Sequence, residues 1–394
     1  MRCASLPQRQ NRTMHLLLCL RSAQLSSNRF LLYLRTSKAE QNNASPSPLS
    51  AISLHLFLIP STHLSLSSFT FPIVAAHKKS HDRINAPLLT SKIAANRSII
   101  VGPSEEFKTV QAAIDAVPEG NKEWIVVHLR AGIYREKVVI PEDKDYIFLR
   151  GSGKGRTAIV WDDSSTNNTL SSTFIVWADN FVAFGISFKN DATMGVANTP
   201  YNQSVAAMVA GDKAAFYHCA FYSAHNTLFD YRGRHYYESC YVQGNIDFIF
   251  GRGQSIFQAS ILTFIFVLQD SRKKILGSIT AQNRESADET SGFVFHKAKV
   301  YGVGDVYLGR AKGAYSRVIF AETYLSKTIT PRGWTNWSYD GETDNLLHGE
   351  YECHGPGSEL GSRVSWSQQL TKEEVSPFLS IDFIDGKEWL PAYY

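Results

Sequence analysis

Cysteine is scarce in this chain, and the spacing of the few cysteines argues against several kinds of site. The 394 residues contain five cysteines, at positions 3, 19, 219, 240 and 353. None forms a Cys-x-x-Cys pair or lies near histidines at zinc-ligand spacing, so neither a structural zinc site nor a thioredoxin-like motif is predicted. Cys219 and Cys240 are open to two interpretations, a disulfide or two buried thiols.

Acidic residues are nearly absent from the first quarter of the chain. Only Glu40 and Asp82 precede residue 99, where twelve Lys and Arg residues also occur. The rest of the chain carries 28 basic and 34 acidic residues, so the net charge of +4 arises in the first segment. Because residues 99–394 are mildly acidic, they lack the excess of basic residues that nucleic-acid binding requires, and no nucleic-acid partner is expected.

Long uninterrupted hydrophobic runs are also missing from this first segment. Its apolar stretches, 14–20 and 51–76, are respectively short and broken by Pro60, histidines and serines, so no stable membrane span is expected. We predict that residues 1–96 form a targeting or disordered leader and that residues 97–394 form the folded domain. A cleaved secretion signal, an organelle transit peptide and sequence absent from the mature protein are alternatives for the leader.

Beyond the leader, the hydrophobic pattern predicts one short helix and then strands. Apolar residues at helical spacing over 107–117, ended by Pro118, predict an amphipathic helix. Short apolar runs follow it, over residues 124–129, 137–140, 146–151, 173–178, 181–188, 214–221, 236–242, 247–251 and 261–268. They are too short and too closely spaced for a doubly wound α/β fold. Consecutive apolar positions indicate strands covered on both faces, which favours a β-solenoid over a sandwich or barrel.

The segment 219–253 carries the most chemical information. Asp247 lies between apolar neighbours at the end of the polar turn QGNID, where a carboxylate needs a cationic partner to offset its desolvation. Arg310 is the candidate partner, because a guanidinium can hold a carboxylate through two hydrogen bonds. On these residues alone, a structural ion pair in a turn is an equal alternative.

Seven motifs in this order resemble those of the plant pectin methylesterase (pectinesterase) family. They are GIYREKV (132–138), QSVAA (203–207), CAFYSAHNTLFD (219–230), GNIDFIFG (244–251), GSITAQNRE (277–285), YLGRAKGAYSR (307–317) and GWTNW (333–337). The resemblance implies an all-β fold, a right-handed parallel β-helix with a short N-terminal helix and long loops that form a cleft. It implies hydrolysis of galacturonate methyl esters in pectin, with release of methanol, by a secreted monomer that modifies the cell wall. A pectin methylesterase inhibitor protein is the partner implied besides pectin.

The resemblance also implies a role for each of several residues. Asp247 matches the nucleophile, Gln203 a donor to the oxyanion, and Arg310 the arginine that orients the nucleophile. No metal or other cofactor is expected. Candidates for substrate binding are aromatic residues that stack on sugars, with core packing as the alternative, and a lysine that attracts a galacturonate carboxylate: Phe250, Trp334, Trp337 and Lys312.

One departure from the family pattern bears directly on activity. The family usually has Gln-Asp where this chain has His225-Asn226, and there the Gln donates to the oxyanion while the Asp transfers protons. Asn226 cannot exchange a proton, whereas His225 can donate and has a reference pKa of about 6.5. In one hypothesis His225 takes over proton transfer and the protein is an esterase. In the other, the protein is a weakly active or inactive pectin-binding relative.

Other enzymes built on a similar helix are disfavoured. A glycosidase needs paired carboxylates across the scissile bond, and a polysaccharide lyase needs a cluster of acids for calcium. Neither arrangement is recognisable in the sequence. A purely structural solenoid is disfavoured by the coexistence of Gln203, Asp247 and Arg310.

Overall fold

The chain divides into two compact units, Met1–Arg83 and Ile84–Tyr394. The computed structural model describes residues 31–34, 54–58, 65–69, 85–192, 202–265, 276–336, 339 and 341–391. In the first unit, the described residues form a three-stranded antiparallel sheet of Leu31–Leu34, Leu54–Leu58 and Ser65–Phe69. Its interpretation as a targeting segment stays a prediction.

The second unit starts earlier than the predicted boundary at residue 97. Helix Ala86–Ile93 begins at Asn85, whose side chain accepts a hydrogen bond from the Leu88 amide at 3.0 Å. Leu89 and Ile93 are buried in a cluster that includes sheet residues of the body. The helix is therefore part of the folded unit, because it covers one face of a sheet.

Three parallel sheets form the body of the second unit, and most coils of the chain contribute a strand to each sheet in turn. Sheet 1 contains Val138–Ile140, Phe174–Val176, Ala207–Val209, Leu228–Asp230, Ile249–Gly251, Gly277–Gln282, Val306–Ala311 and Trp334–Thr335. Sheet 2 contains Arg97–Val101, Ile125–Leu129, Ile147–Arg150, Phe181–Phe184, Ala214–Tyr217, Arg234–Glu238, Gln254–Gln258, Gly292–His296, Arg317–Ala321, Leu347–Tyr351 and Gln368–Gln369. Sheet 3 contains Gly132–Arg135, Thr157–Trp161, Ser187–Asn190, Ala220–Tyr222, Tyr241–Gly244, Ile261–Ile265, Lys299–Val303 and Tyr324–Leu325. The predicted all-β parallel β-helix is confirmed.

Several runs predicted as single strands are in fact two strands that meet at a corner between sheets 2 and 3. The run 214–221 is divided at His218, which has φ of 52°, and the run 236–242 is divided at Ser239, with φ of 54°. A single residue in the left-handed region turns the chain sharply at this corner. Hydrophobic periodicity could not locate the break, since both flanking strands bury apolar side chains.

The core lies inside the coil and contains a stack of aromatic rings. Five rings from successive strands of sheet 2 stack along the helix axis with centroid distances of 5.1, 4.5, 4.6 and 4.5 Å: Phe216, Tyr237, Phe257, Phe295 and Phe320. Such rings bury large apolar areas and gain further from offset stacking. Cys219 and Cys240 are free thiols in this core, and burial raises the pKa of Cys219 to about 12.

Short helices lie around the coil. The predicted helix over 107–117 is confirmed with the shorter bounds Val110–Asp115, and it packs into the main core. The remaining helical segments are Asn168–Ser171, Lys372–Leu379, the 3-10 helix Ile381–Ile384 and Gly386–Trp389. Of the run 261–268, residues 261–265 form a strand with Leu262 and Phe264 buried, and the rest lies outside the described residues. Within the described ranges, no helix is long and apolar enough to cross a membrane.

Candidate active site

Three turns at the corner between sheets 3 and 1 carry the candidate catalytic residues. Gln203 precedes strand Ala207–Val209, His225 and Asn226 precede Leu228–Asp230, and Asp247 precedes Ile249–Gly251. These strands are parallel neighbours in sheet 1, so their turns stack on each other. A backbone bridge between His225 and Ile246, and a bond from the Ser204 amide to the His225 carbonyl, connect the turns directly. Coil stacking thus gathers residues that are distant in sequence.

Asp247 is held by a clamp of charged and polar donors. The Arg310 Nε lies 2.9 Å from Oδ1 and 3.0 Å from Oδ2, and Nη2 lies 2.6 Å from Oδ2. The Ser278 hydroxyl also donates to Oδ1. Ser278 and Arg310 belong to the next two strands of sheet 1, so the register of the sheet delivers both donors to one carboxylate. This clamp fixes the orientation of a carboxylate that is itself buried.

His225 is buried beside this clamp with a ring nitrogen that has no partner. Within the described part of the chain, its Nε2 makes no hydrogen bond. Burial lowers the pKa of His225, while the negative charge of Asp247 acts in the opposite direction. The balance favours the neutral imidazole, which offers both a donor and an acceptor nitrogen.

Gln203 and Asn226 present carboxamides from two of the three turns. The Gln203 backbone pairs with Ser165, and its buried Oε1 has no hydrogen-bond partner among the described residues. The Asn226 Nδ2 donates to Asn168 Oδ1 at 3.2 Å. A buried polar atom without a partner is rare in folded proteins and marks a place where a ligand can supply the missing hydrogen bond.

Two of the predicted sugar-stacking residues are buried in the protein instead. Phe250 is 1% exposed and stacks on Phe229 with ring centroids 4.4 Å apart. Trp334 is fully buried, and its indole Nε1 donates to Glu350 Oε1 at 3.2 Å. Core packing, the alternative considered for aromatic residues, therefore applies to both, because neither ring offers a face to solvent. Trp337 lies outside the described residues.

Lys312 lies at the surface next to Phe250. Its Nζ lies 5.8 Å from the centroid of the Phe250 ring, within the range of a cation–π contact. Partial burial of the ammonium, and then the charge of Arg310, lower the pKa of Lys312, and Asp247 opposes this shift. The lysine thus lies close to the clamp, as its sequence position after Arg310 suggests.

Sequence reasoning missed Ser278 and Asn168, which contact Asp247 and Asn226. Ser278 stands in the motif GSITAQNRE, but no local pattern indicates that its hydroxyl points at a carboxylate from another coil. Asn168 lies in a short helix whose position depends on the packing of the loop. Across the described residues, no group of three or more His, Cys, Asp or Glu side chains is arranged to hold a metal ion.

The fold and the site together define a parallel β-helix protein with a clamped carboxylate at a sheet corner, flanked by an imidazole and carboxamides. The family model described as Pectinesterase matches residues 98–387. The chain therefore belongs to the pectinesterase family.

Named relatives and solved structures agree with this assignment. "Probable pectinesterase 67" of Arabidopsis thaliana is 63% identical over 313 residues, which cover 79% of this chain and 90% of that protein. "Probable pectinesterase 8" of the same plant is 42% identical, covering 72% of this chain and 73% of that protein. The pectin methylesterase from carrot superposes with a TM-score of 0.70 at 28% identity, over 76% of this chain and 96% of that one. The expected right-handed parallel β-helix is thereby confirmed.

Proposed function

We propose that this chain, a carboxylic ester hydrolase by its family, removes methyl groups from esterified galacturonate units of pectin with Asp247 as nucleophile. The observation that carries the proposal is the clamp of Arg310 and Ser278 on the buried Asp247 carboxylate. Ester hydrolysis through a covalent intermediate needs an oriented nucleophile, donors for the oxyanion and a proton for the leaving alcohol. The corner between sheets 3 and 1 supplies a candidate for each.

In the first half of the reaction, an Asp247 oxygen attacks the ester carbonyl carbon. The carbonyl oxygen becomes an oxyanion, which the Gln203 side-chain N–H stabilises. The tetrahedral intermediate then collapses, the bond to the methoxy oxygen breaks, and methanol leaves with a proton. An anhydride between Asp247 and the galacturonate remains.

His225 is the proposed carrier of the proton. In its protonated form it donates to the leaving methoxy oxygen, and the resulting neutral ring accepts a proton from the water that cleaves the anhydride. Its unpartnered Nε2 supports this role, since a reacting atom can complete its hydrogen bonding. Asn226, bonded to Asn168, contributes a donor but no exchangeable proton.

The test is methanol release from highly methylated pectin by the full chain. Asp247→Asn removes the nucleophile and should lower the rate by at least about a thousandfold. Asp305→Asn, the same change at an exposed residue, is the matched control and should leave the rate unchanged. A wild-type chain that binds pectin but releases no methanol would contradict the proposal and favour a pectin-binding relative without turnover.

The substrate also bears on where the enzyme works. Pectin is a polymer of the plant cell wall, so we infer secretion to the wall, action as a monomer, and control by a pectin methylesterase inhibitor protein. A fluorescent fusion to the full chain should accumulate in the wall, and size-exclusion chromatography should give the mass of one chain. Retention inside the cell, or a stable dimer, would contradict these inferences.

A further inference from the structure

A groove runs across the first strands of sheet 3, on the outer face of the coil. Ala158 and Ser187, paired in neighbouring strands, provide small side chains along its floor. Two positions further along, Val160, Lys189 and Tyr222 pair in register and form a row of longer side chains. Residues 154–156 line the groove as well, and its volume is about 430 Å³.

Four cationic side chains line this groove: Arg135, Lys154, Arg156 and Lys189. Of these four, only Lys189 has a carboxylate of a described residue within ion-pair distance, Asp191 at 2.7 Å. Backbone carbonyls hold two of the others, with Lys154 Nζ 3.1 Å from the Ser239 oxygen and Arg156 Nη2 2.7 Å from the Ser152 oxygen. Such contacts orient the cations but leave their charge uncompensated.

This excess of positive charge is local. The chain after residue 98 carries 28 basic and 34 acidic residues, so a lining of four cations and one carboxylate, Asp191, departs from the average. A second cavity, of about 360 Å³, is lined by arginines whose charges are compensated by carboxylates. There Arg234 pairs with Asp212 and Asp385, and Arg252 pairs with Glu285 and Glu289.

We propose that the groove on sheet 3 binds a de-esterified stretch of polygalacturonate, the anionic product of the reaction. The inference rests on the proposed function, because only demethylation gives the polymer its regular carboxylates. Lysine and arginine form charge-assisted hydrogen bonds with carboxylates, and adjacent strands repeat about every 4.8 Å along the groove. A polymer with one carboxylate on each sugar can therefore meet cations from successive coils.

The groove is connected to the candidate active site through the chain itself. Tyr222 ends a strand of sheet 3, and residues 223–226 form the corner that carries His225. A polymer held in the groove by its demethylated part is thus kept near the corner where further esters are cleaved. The groove serves to retain the product chain between turnovers.

The experiment measures binding without turnover, in the full chain carrying Asp247→Asn. Isothermal titration with fully de-esterified galacturonate oligomers is done with and without Arg135→Gln and Arg156→Gln, two exposed residues. The two substitutions together should weaken binding at least tenfold. They should also reduce the dependence of binding on salt concentration, because two charge contacts that salt screens are lost. Lys299→Gln with Lys327→Gln removes the same charge from exposed positions elsewhere and should change binding little.

Equal effects of the two double variants, or no effect of the groove variant, would overturn the proposal. Fully methylated oligomers provide a second readout, since they lack carboxylates and their binding should be the same for both variants. The result is separable from the fate of the proposed catalytic function. If the wild type releases no methanol but the groove variant loses affinity and the control variant does not, the groove proposal is supported and the catalytic assignment fails. If methanol is released and affinity is unchanged, only the groove proposal fails.

Discussion

Two carboxylate–arginine pairs in the described part of the β-helix have both side chains largely buried, and their surroundings differ. The side chains of Arg310 and Asp247 are 12% and 9% exposed, whereas those of Arg363 and Glu350 are 5% and 1% exposed. Glu350 also accepts from the Trp334 indole, and Arg363 donates to the carbonyls of residues 330, 331 and 357. The second pair is thus enclosed by donors and acceptors of the protein itself.

The difference shows that a buried carboxylate–arginine pair is not in itself a sign of catalysis. Near Asp247, Gln203 and His225 each keep a buried atom without a partner among the described residues, and Thr330 and His348 do the same near Arg363 and Glu350. The two pairs therefore differ in the exposure of the carboxylate, which is larger for Asp247, because a substrate must reach the reacting oxygen. The pair Glu350–Arg363 fixes the C-terminal coils instead.

The largest loss of stability is expected from breaking the pair Glu350–Arg363. Glu350→Gln leaves the Arg363 guanidinium buried without its counter-charge and should lower the free energy of unfolding by about 3 kcal/mol. Chemical denaturation of the full chain measures this. Asp247→Asn, at the more exposed pair, should cost less stability. Equal losses from the two variants would show that the two pairs play the same structural role.

His225→Ala should reduce methanol release by about a hundredfold, the size of a general acid–base contribution. Burial lowers the pKa of His225, so its protonated form disappears at a pH below the usual 6.5. In the wild type, activity that depends on this proton should have its optimum below pH 6.5 and should decrease as the pH rises above that optimum. In the variant, this decrease on the alkaline side of the pH profile should be absent. His128→Ala, on a strand of sheet 2, is the control. An unchanged rate and profile would rule out proton transfer by His225.

Ser278→Ala should have a smaller effect, about tenfold on kcat/KM, because Arg310 still orients Asp247. The loss should fall on kcat with KM little changed, because the Ser278 hydroxyl contacts Asp247. Ser255→Ala is a matched control, since that buried hydroxyl has no partner among the described residues. A rise in KM at unchanged kcat would show that Ser278 does not act through the nucleophile.

Asn226→Asp should give the smallest change, a few-fold rise in methanol release, because it returns a second group able to exchange protons. The activity should also extend to higher pH, where His225 is neutral. Comparison of pH profiles between wild type and variant measures both effects. A fall in activity would mean that the bond from Asn226 to Asn168 matters more to the site than an added carboxylate.

The sequence predicted contacts most successfully where short motifs contain the reactive residues. It paired Asp247 with Arg310, and the two side chains are in contact, with Arg310 Nη2 2.6 Å from Asp247 Oδ2. It did not reveal Ser278, because a serine hydroxyl that donates across coils leaves no pattern in its own segment. It left Trp334 open between sugar stacking and core packing, because an aromatic residue at a strand end packs inward or outward according to neighbours that are remote in sequence.

The sequence by itself determined that the domain is built from short strands, that the chain after residue 98 is mildly acidic, and which reactive side chains are present. Short apolar runs without helical spacing suffice for the first, and residue identity suffices for the others. Only the tertiary structure decided which residues meet. The coil register, set by parallel pairing between strands, brings Ser278 and Arg310 onto Asp247 and gathers four cationic side chains at the groove on sheet 3. Such contacts depend on the stacking of coils, which no local segment of the chain encodes alone.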